Sequence, residues 1–272
     1  MRPEHNTPAF VPEHDAVSSL TRTLEISFIA VAAALVIANL ARAAAAGALL
    51  QWWTPLVVLS AAYAADFVSG LVHWTADTWF SETMPVLGRR FLRPFRVHHV
   101  NPDDFLRRSF VDCNGDVAML NTPVLAGALL VPLTTDAGAA LSLALFAFAA
   151  TSLPTNQVHQ WAHMPAPPPA IQWLQRRRII LSRDDHARHH QAPYVANYCI
   201  ATGWCNRWLS AMGFFPAFER AITRCFGIEP RADEGAFGRS VRLLPSAEGS
   251  GEVRRRALRA RSRQPDQIQE HA

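Results

Sequence analysis

Gly138-Ala-Ala-Leu-Ser-Leu-Ala-Leu-Phe-Ala-Phe-Ala-Ala-Thr-Ser-Leu-Pro-Thr-Asn-Gln-Val158 carries no charge and runs directly into His159-Gln-Trp-Ala-His163. About 20 consecutive apolar residues match the roughly 30 Å hydrocarbon thickness of a bilayer. Working outward, Leu24 to Leu50 holds only Glu25 and Arg42, Pro55 to Trp74 only Asp66, and Val117 to Thr135 no charge at all. Helices buried inside a soluble bundle are also apolar on every side, and Pro123 and Pro132 would kink or shorten the third segment. Four such segments packed into the first 160 positions nevertheless point to an all-α integral membrane protein with about four transmembrane helices. The first segment is too long for a cleaved signal peptide and follows a polar stretch.

Half of the 272 residues are hydrophobic, and all 26 basic residues are arginine. Without lysine there is no Schiff-base chemistry and no P-loop. Arg89, Arg90, Arg93, Arg96, Arg107 and Arg108 lie between the second and third apolar segments, and most of the remainder follow the fourth. The links after the first and third segments hold only Arg42 and Asp136. By the positive-inside rule the long loop, the C-terminal part and both termini are cytoplasmic, as expected for a multi-pass protein of a bacterial inner membrane.

That orientation gathers the histidines. Eight of the eleven fall into four groups: His73 with Asp77, His98 with His99, His159 with His163, and His186 with His189 and His190. Each group belongs to a cytoplasmic segment or to the cytoplasmic end of an apolar one. A single histidine at a membrane edge is ordinarily an amphipathic surface residue, but four groups on one face supply more imidazoles than one metal uses. Two metals are expected in a cytoplasmic histidine-rich helical cap. On a helix His73 and Asp77, and His159 and His163, share a face at i and i+4. His186, His189 and His190 fall within one turn. His98 and His99 do not share a face and are expected on a turn or on different metals.

His159-Gln160-Trp161-Ala162-His163 has the frame of the zinc-protease HExxH, but Gln160 replaces the general-base Glu, so peptidase chemistry is disfavoured. Structural zinc is disfavoured because Cys113, Cys199, Cys205 and Cys225 form no CxxC-like pair and read as free thiols in a reducing compartment. A nitrogen-rich site for two iron ions fits better. The Glu-x-x-His pattern of soluble di-iron bundles is missing.

Several stretches resemble the lipid desaturase family: Asp66-Phe-Val-Ser-Gly-Leu-Val-His73-Trp-Thr-Ala-Asp77-Thr-Trp79, Phe95-Arg-Val-His98-His99, Asn114-Gly-Asp116, Asn156-Gln-Val-His159-Gln-Trp-Ala-His163 and His186-Ala-Arg-His189-His190. The resemblance covers about residues 56 to 215. The family includes plasmanylethanolamine desaturase, bacterial carotenoid-regulator relatives and the plant plastid phosphatidylglycerol desaturase. It implies a membrane oxidoreductase that uses two iron ions, dioxygen and an electron donor, ferredoxin or cytochrome b5-like, to desaturate a phospholipid chain. It also implies that His73, Asp77, His98, His99, His159, His163, His186, His189 and His190 are iron ligands or their close neighbours.

The vinyl-ether-forming branch has Asp where this chain has Asn101 and His where it has Arg108, whereas the plant branch has paired arginines like Arg107-Arg108. The segments His189-His190-Gln-Ala-Pro193-Tyr194 and Asn197-Tyr198-Cys199-Ile200 resemble the plant branch, and Asn114-Gly115-Asp116 the other. An alkyl ether and an acyl chain are both open as substrate. An unactivated methylene has no useful acidity, so a general base cannot start the reaction. The protein's part is to fix the ligands, orient the chain and exclude water.

Asp112, Asp116, Asn156, Asp184 and Asp185 are candidates for holding the imidazoles, with helix capping as their bland alternative. Trp52 and Trp53 on one side, and Trp74 and Trp79 on the other, fit membrane-interface belts. Arg176-Arg177-Arg178 after Trp173 and Leu174 reads as an interfacial helix meeting anionic headgroups. No nucleic-acid-binding face is evident. Residues 1–22 are expected to be disordered, 23–228 to form the membrane domain and 229–272 to be a flexible Arg-rich tail. Two other classes use the same features: a zinc- or manganese-dependent membrane hydrolase, and a non-catalytic membrane localisation module.

Overall fold

A computed structural model describes residues 16–80, 84–85, 87–191 and 194–231. Among them there is no strand. The elements are α1 (Ser19–Ala45), α2 (Thr54–Thr78), α3 (Arg93–Val100), α4 (Pro102–Arg107), α5 (Phe110–Leu130), α6 (Asp136–Ser152), α7 (Thr155–His163), α8 (Pro169–Arg176), α9 (Arg183–His189), α10 (Asn206–Ala211) and α11 (Phe214–Phe226). The all-α expectation holds.

Three helical runs are long and apolar enough to cross a bilayer: Ser19–Ala45, Thr54–Thr78 and Asp136–His163. Their surfaces agree with their composition. Ile37 is 68% exposed, Leu56 60% and Val72 53%, the state of apolar side chains meant for lipid rather than water. The fourth expected span, α5, is one 21-residue helix that continues through Pro123 and stops before Pro132. Asp112, Asn114, Asp116 and Asn121 load its first twelve residues with polar groups, so it is long enough but by composition not among the three.

α1 opens at Ser18, whose Oγ accepts from the Thr21 backbone N–H at 3.1 Å. The expected disordered segment at 1–22 is therefore corrected for Ser19 to Arg22, which a cap and an Arg22–Glu25 ion pair of 2.9 Å hold in the helix; residues 1–15 lie outside the described ones. At the other end, the Arg231 backbone N–H donates to Thr78 O at 2.9 Å, so ordered chain continues past the expected boundary at 228. The Arg-rich tail beyond 231 lies outside the described residues.

α1 packs on α5, α2 on α6, and α5 on α6. Polar groups inside these apolar helices are spent on contacts between them, as a low-dielectric setting demands. Asn39 Nδ2 donates to Leu125 O at 3.0 Å, and Arg42 Nη1 to Ala128 O at 3.0 Å. Gly115 allows α1 and α5 to touch, since a Cβ there would lie 2.5 Å from Glu25 Cγ. Arg22 pairs with Asp112, and Arg90 with Asp116.

Pro154 separates α6 from α7 without ending the run, because it sits at the α7 N-cap, where a missing N–H costs nothing. α7 contacts α4, α5 and α9, and α2 contacts α3. Short helices thereby meet the C-terminal ends of two long ones, where the histidines are.

The tryptophan belt expected at Trp74 and Trp79 is corrected. Trp52 is 81% exposed, but Trp74 and Trp79 are buried at 2% and 7%, packed with Tyr198, Cys199, Leu209 and Phe215. Their rings fill the junction between α2 and the α10–α11 segment.

Candidate metal centre

α2 brings His73 and Asp77 to one face of its last two turns, and α7 does the same for His159 and His163. α9 is a seven-residue helix fixed by its cap: Ser182 Oγ accepts the Asp185 N–H at 3.1 Å and donates to Asp185 Oδ2 at 2.8 Å. It carries His186 and His189, with His190 as its C-cap. His98 and His99 lie on α3 rather than on a turn.

All nine candidates converge. His98, His159, His163, His186 and His190 form one group, and His73, His98, His99 and His189 another, each with its donor atoms within 4.8 Å of one another. Asp77 joins the second: its Oδ2 lies 3.2 Å from His99 Nε2, 3.3 Å from His73 Nε2 and 3.4 Å from His189 Nε2. His98 reaches both groups and His99 only the second.

The distances themselves argue for ions. His186 Nε2 lies 2.9 Å from His159 Nε2, 2.8 Å from His163 Nε2 and 3.0 Å from His190 Nε2; His163 and His159 are 3.3 Å apart. An imidazole nitrogen has one in-plane lone pair or one hydrogen, so it cannot bond three others at once. Ligands about 2.1 Å from a common ion at angles of roughly 90–105° would be separated by about 3.0–3.3 Å, close to the 2.8–3.3 Å between these nitrogens. In the second group, His73 Nε2 is buried beside Asp77 yet has no hydrogen-bond partner among the described residues, and His98 Nε2 is equally orphaned. Buried polar atoms left this way are expected where an ion completes them.

The opposite ring nitrogens set the tautomers. His73 Nδ1 donates to Tyr198 O at 3.1 Å and His189 Nδ1 to Ala196 O at 3.0 Å. A proton held at Nδ1 leaves the Nε2 lone pair free for a metal. Burial, reinforced by neighbouring imidazoles, holds the pKa of His98, His186 and His190 well below the usual histidine value. All three are therefore neutral near pH 7, the form that binds metal.

Four of the five polar residues proposed to hold the imidazoles do other work. Asp112 caps α5 with Ser109 and pairs with Arg22, Asp116 pairs with Arg90, Asn156 Nδ2 donates to Cys113 O at 2.8 Å, and Asp185 completes the α9 cap. Backbone carbonyls take their place, and these leave no residue-type signature in a sequence. Behind them stands Asp66, fully buried, whose Oδ1 accepts the Thr202 and Gly203 N–H groups at 2.7 and 2.8 Å and whose Oδ2 accepts that of Cys205 at 2.9 Å. Asn206 clamps the same loop through both backbone groups of Cys199, at 2.9 and 2.7 Å. A lone carboxylate inside an apolar helix was the available signal for Asp66.

Gln160 faces away from the imidazoles. Its Nε2 donates to Phe105 O at 2.8 Å and Arg108 O at 3.1 Å, and its Oε1 accepts from Gln157 Nε2 at 2.8 Å. The amide is thus a strut between α7 and the α4–α5 connection. The four cysteines are free, as expected, and none is in either group.

A lipid desaturase domain model matches residues 62–233 of the chain. The chain is 42% identical over 199 residues to a plasmanylethanolamine desaturase of Myxococcus xanthus, covering 73% of this chain and 71% of that protein. It is 38% identical to plasmanylethanolamine desaturase 1 of Mus musculus, over 71% and 76% of the two chains. Identity to the chloroplastic fatty acid desaturase 4-like 1 of Arabidopsis thaliana is 32%, over 66% and 61%. No solved structure matches.

Proposed function

The chain belongs to the lipid desaturase family, and from that premise we propose that it is a membrane enzyme that introduces a double bond into a phospholipid chain, using dioxygen and an external electron donor. The observation that supports this most directly is the convergence of eight imidazoles and one carboxylate into two adjacent groups sharing His98. Two iron ions with dioxygen would supply the oxidising power that an unactivated methylene requires. His159, His163, His186 and His190 would hold one ion, and His73, Asp77, His99 and His189 the other, with His98 completing either. Neither a hydrolase nor an anchor is named among these relatives.

The chain's own residues supply the rest. The carbonyls of Tyr198 and Ala196 keep His73 and His189 in the ligating tautomer. Asp77 contributes the one negative charge among nine candidates and moderates the build-up of positive charge. Full burial of His73 and His189, with His186 at 1% exposure, excludes water from chemistry that water would divert. The histidine groups and both termini face the cytoplasm by arginine placement, so a soluble ferredoxin or a cytochrome b5-like protein could reach them.

The alkyl chain of an ether-linked ethanolamine phospholipid, converted to a vinyl ether, is the leading substrate because two relatives, 42% and 38% identical, are named plasmanylethanolamine desaturases. An acyl chain is the second reading, favoured by Arg108 and Asn101. Lipid mass spectrometry of a strain expressing the protein tests both. New vinyl-ether or new acyl unsaturation is expected, and His159→Ala should abolish it. A strain with neither product, despite iron-loaded protein in its membrane, would remove the proposal.

A further inference from the structure

A cavity of about 320 Å³ lies between α2, α3, α5, α6 and α7, at the lower end of ligand-sized pockets. It adjoins the histidine groups along three helices: Ser69, Pro94 and Thr155 line it, and each stands four residues before a candidate ligand, His73, His98 and His159. Four residues on a helix are about 6 Å. Phe95, also in the wall, has its ring 5.2 Å from that of His73. From Arg108, just before α5, along that helix the lining changes character, from Asp112 and Asp116 to Val117, Leu120 and Val124, with Asn121 among them turned to the Val117 carbonyl at 2.9 Å. One end is polar and the other a hydrocarbon slot.

The charged groups at the polar end are not paired equally closely. Asp112 is paired with Arg22, and Asp116 with Arg90. Arg108 has its side chain only 12% exposed, and its closest carboxylate oxygen, Asp104 Oδ2, is 3.9 Å away. Its Nε is buried with no hydrogen-bond partner among the described residues. A guanidinium held this way beside an apolar slot lacks the planar, two-oxygen acceptor it is shaped to bind. Gln160 holds the Arg108 carbonyl from α7, one residue from His159, so this cation is tied to the metal-binding helix.

We propose that Arg108 is the substrate-reading residue: it binds the phosphodiester of the lipid while the alkyl or acyl chain fills the slot toward Val124. Fixing the phosphate fixes which carbons of the chain lie beside His73, His98 and His159. The inference rests on the lipid desaturase reading for the identity of its ligand, but binding tests it without turnover.

The test measures retention of two probes by the purified, iron-loaded protein in detergent, using native mass spectrometry: a 1-alkyl-2-acyl phosphatidylethanolamine, and the neutral alkylacylglycerol that lacks the phosphate. Wild type should prefer the phospholipid by about tenfold or more, the scale of a charged hydrogen-bonded contact. R108Q should abolish most of that preference and R108K, a point charge without the planar fork, should retain only part of it, with iron content unchanged. V124W, or the milder V124F, should weaken both probes alike. The proposal is overturned if R108Q keeps the preference, if R108K retains no more of it than R108Q does, or if neither Val124 variant affects either lipid. It is also overturned if millimolar inorganic phosphate displaces the phospholipid as well as unlabelled lipid does, since that describes an anion pocket alone. Arg108-dependent retention in a protein that desaturates nothing in cells would retire the activity and leave the site standing. Desaturation with no Arg108-dependent preference would do the reverse.

Discussion

His163 Nε2 and His186 Nε2 lie 2.8 Å apart, on α7 and α9, while His186 Nε2 is simultaneously within 3.0 Å of His159 and His190. Neutral imidazoles cannot satisfy that arrangement by hydrogen bonding. A shared cation would relieve it, and the four rings would then link the two helices through their ligand atoms.

Removing one ring should therefore cost one metal before it costs the fold. His186→Ala is expected to lower iron from about two to about one per chain, and activity by more than about 100-fold. Elemental analysis beside a thermal melt checks this. Two full equivalents of iron in the variant would show that the first group is not a metal site.

Asp66 anchors the loop whose carbonyls orient His73 and His189. Replacing it by Ala strands three buried backbone N–H groups, each worth about 1–3 kcal/mol. Asn is nearly isosteric but turns one acceptor into a donor facing an N–H. Asp66→Asn should lower the melting temperature by several degrees and speed iron loss to a chelator, although Asp66 touches no ligand. Equal chelation rates for variant and wild type would reduce Asp66 to a purely structural role.

How far the sequence could be read depends on which forces did the placing. The long apolar helices and the i, i+4 ligand pairs are local and periodic, so α1, α2, the α6–α7 run and all nine candidate residues were legible. The α5 segment was only half legible, because its polar first turns face protein partners such as Arg22, Arg90 and Gln157 that no window of hydropathy contains. Trp74 and Trp79 misled for the same reason: the α10–α11 segment folds over them from 130 residues away in the chain. The carbonyls behind His73 and His189 carry no residue identity. Arg108 was singled out by resemblance, but the cavity beside it required coordinates.

Gln160→Glu restores the protease-like HExxH pattern and is expected to destabilise rather than create activity. A carboxylate would face the carbonyls of Phe105 and Arg108, now 2.8 and 3.1 Å from an amide donor, and two donors would become unfavourable contacts at roughly 1–3 kcal/mol each. Denaturation should show the loss, and a peptidase assay should show nothing. A variant as stable as wild type would mean that the strut between α7 and the α4–α5 connection carries no load.

Acid should act on the metal-free protein through its buried histidines. His98, His186 and His190 have pKa values depressed by burial and by neighbouring imidazoles, so the folded state stays neutral where the unfolded chain takes up protons. The unfolded state then binds more protons at every pH below about 6.5, and stability rises with pH through that window and levels off above it. Each such histidine contributes a slope of up to about 1.4 kcal/mol per pH unit below about 6.5. The apoprotein should melt markedly lower at pH 5.5 than at pH 7.5, while the change from pH 7.5 to 8.5 should be small. Bound iron should shift the steep region to more acid pH, because protons must then also displace the metal. An apoprotein melt that does not move between pH 7.5 and 5.5 would show that these rings are already protonated or solvated, and that the two groups are not a desolvated ligand set.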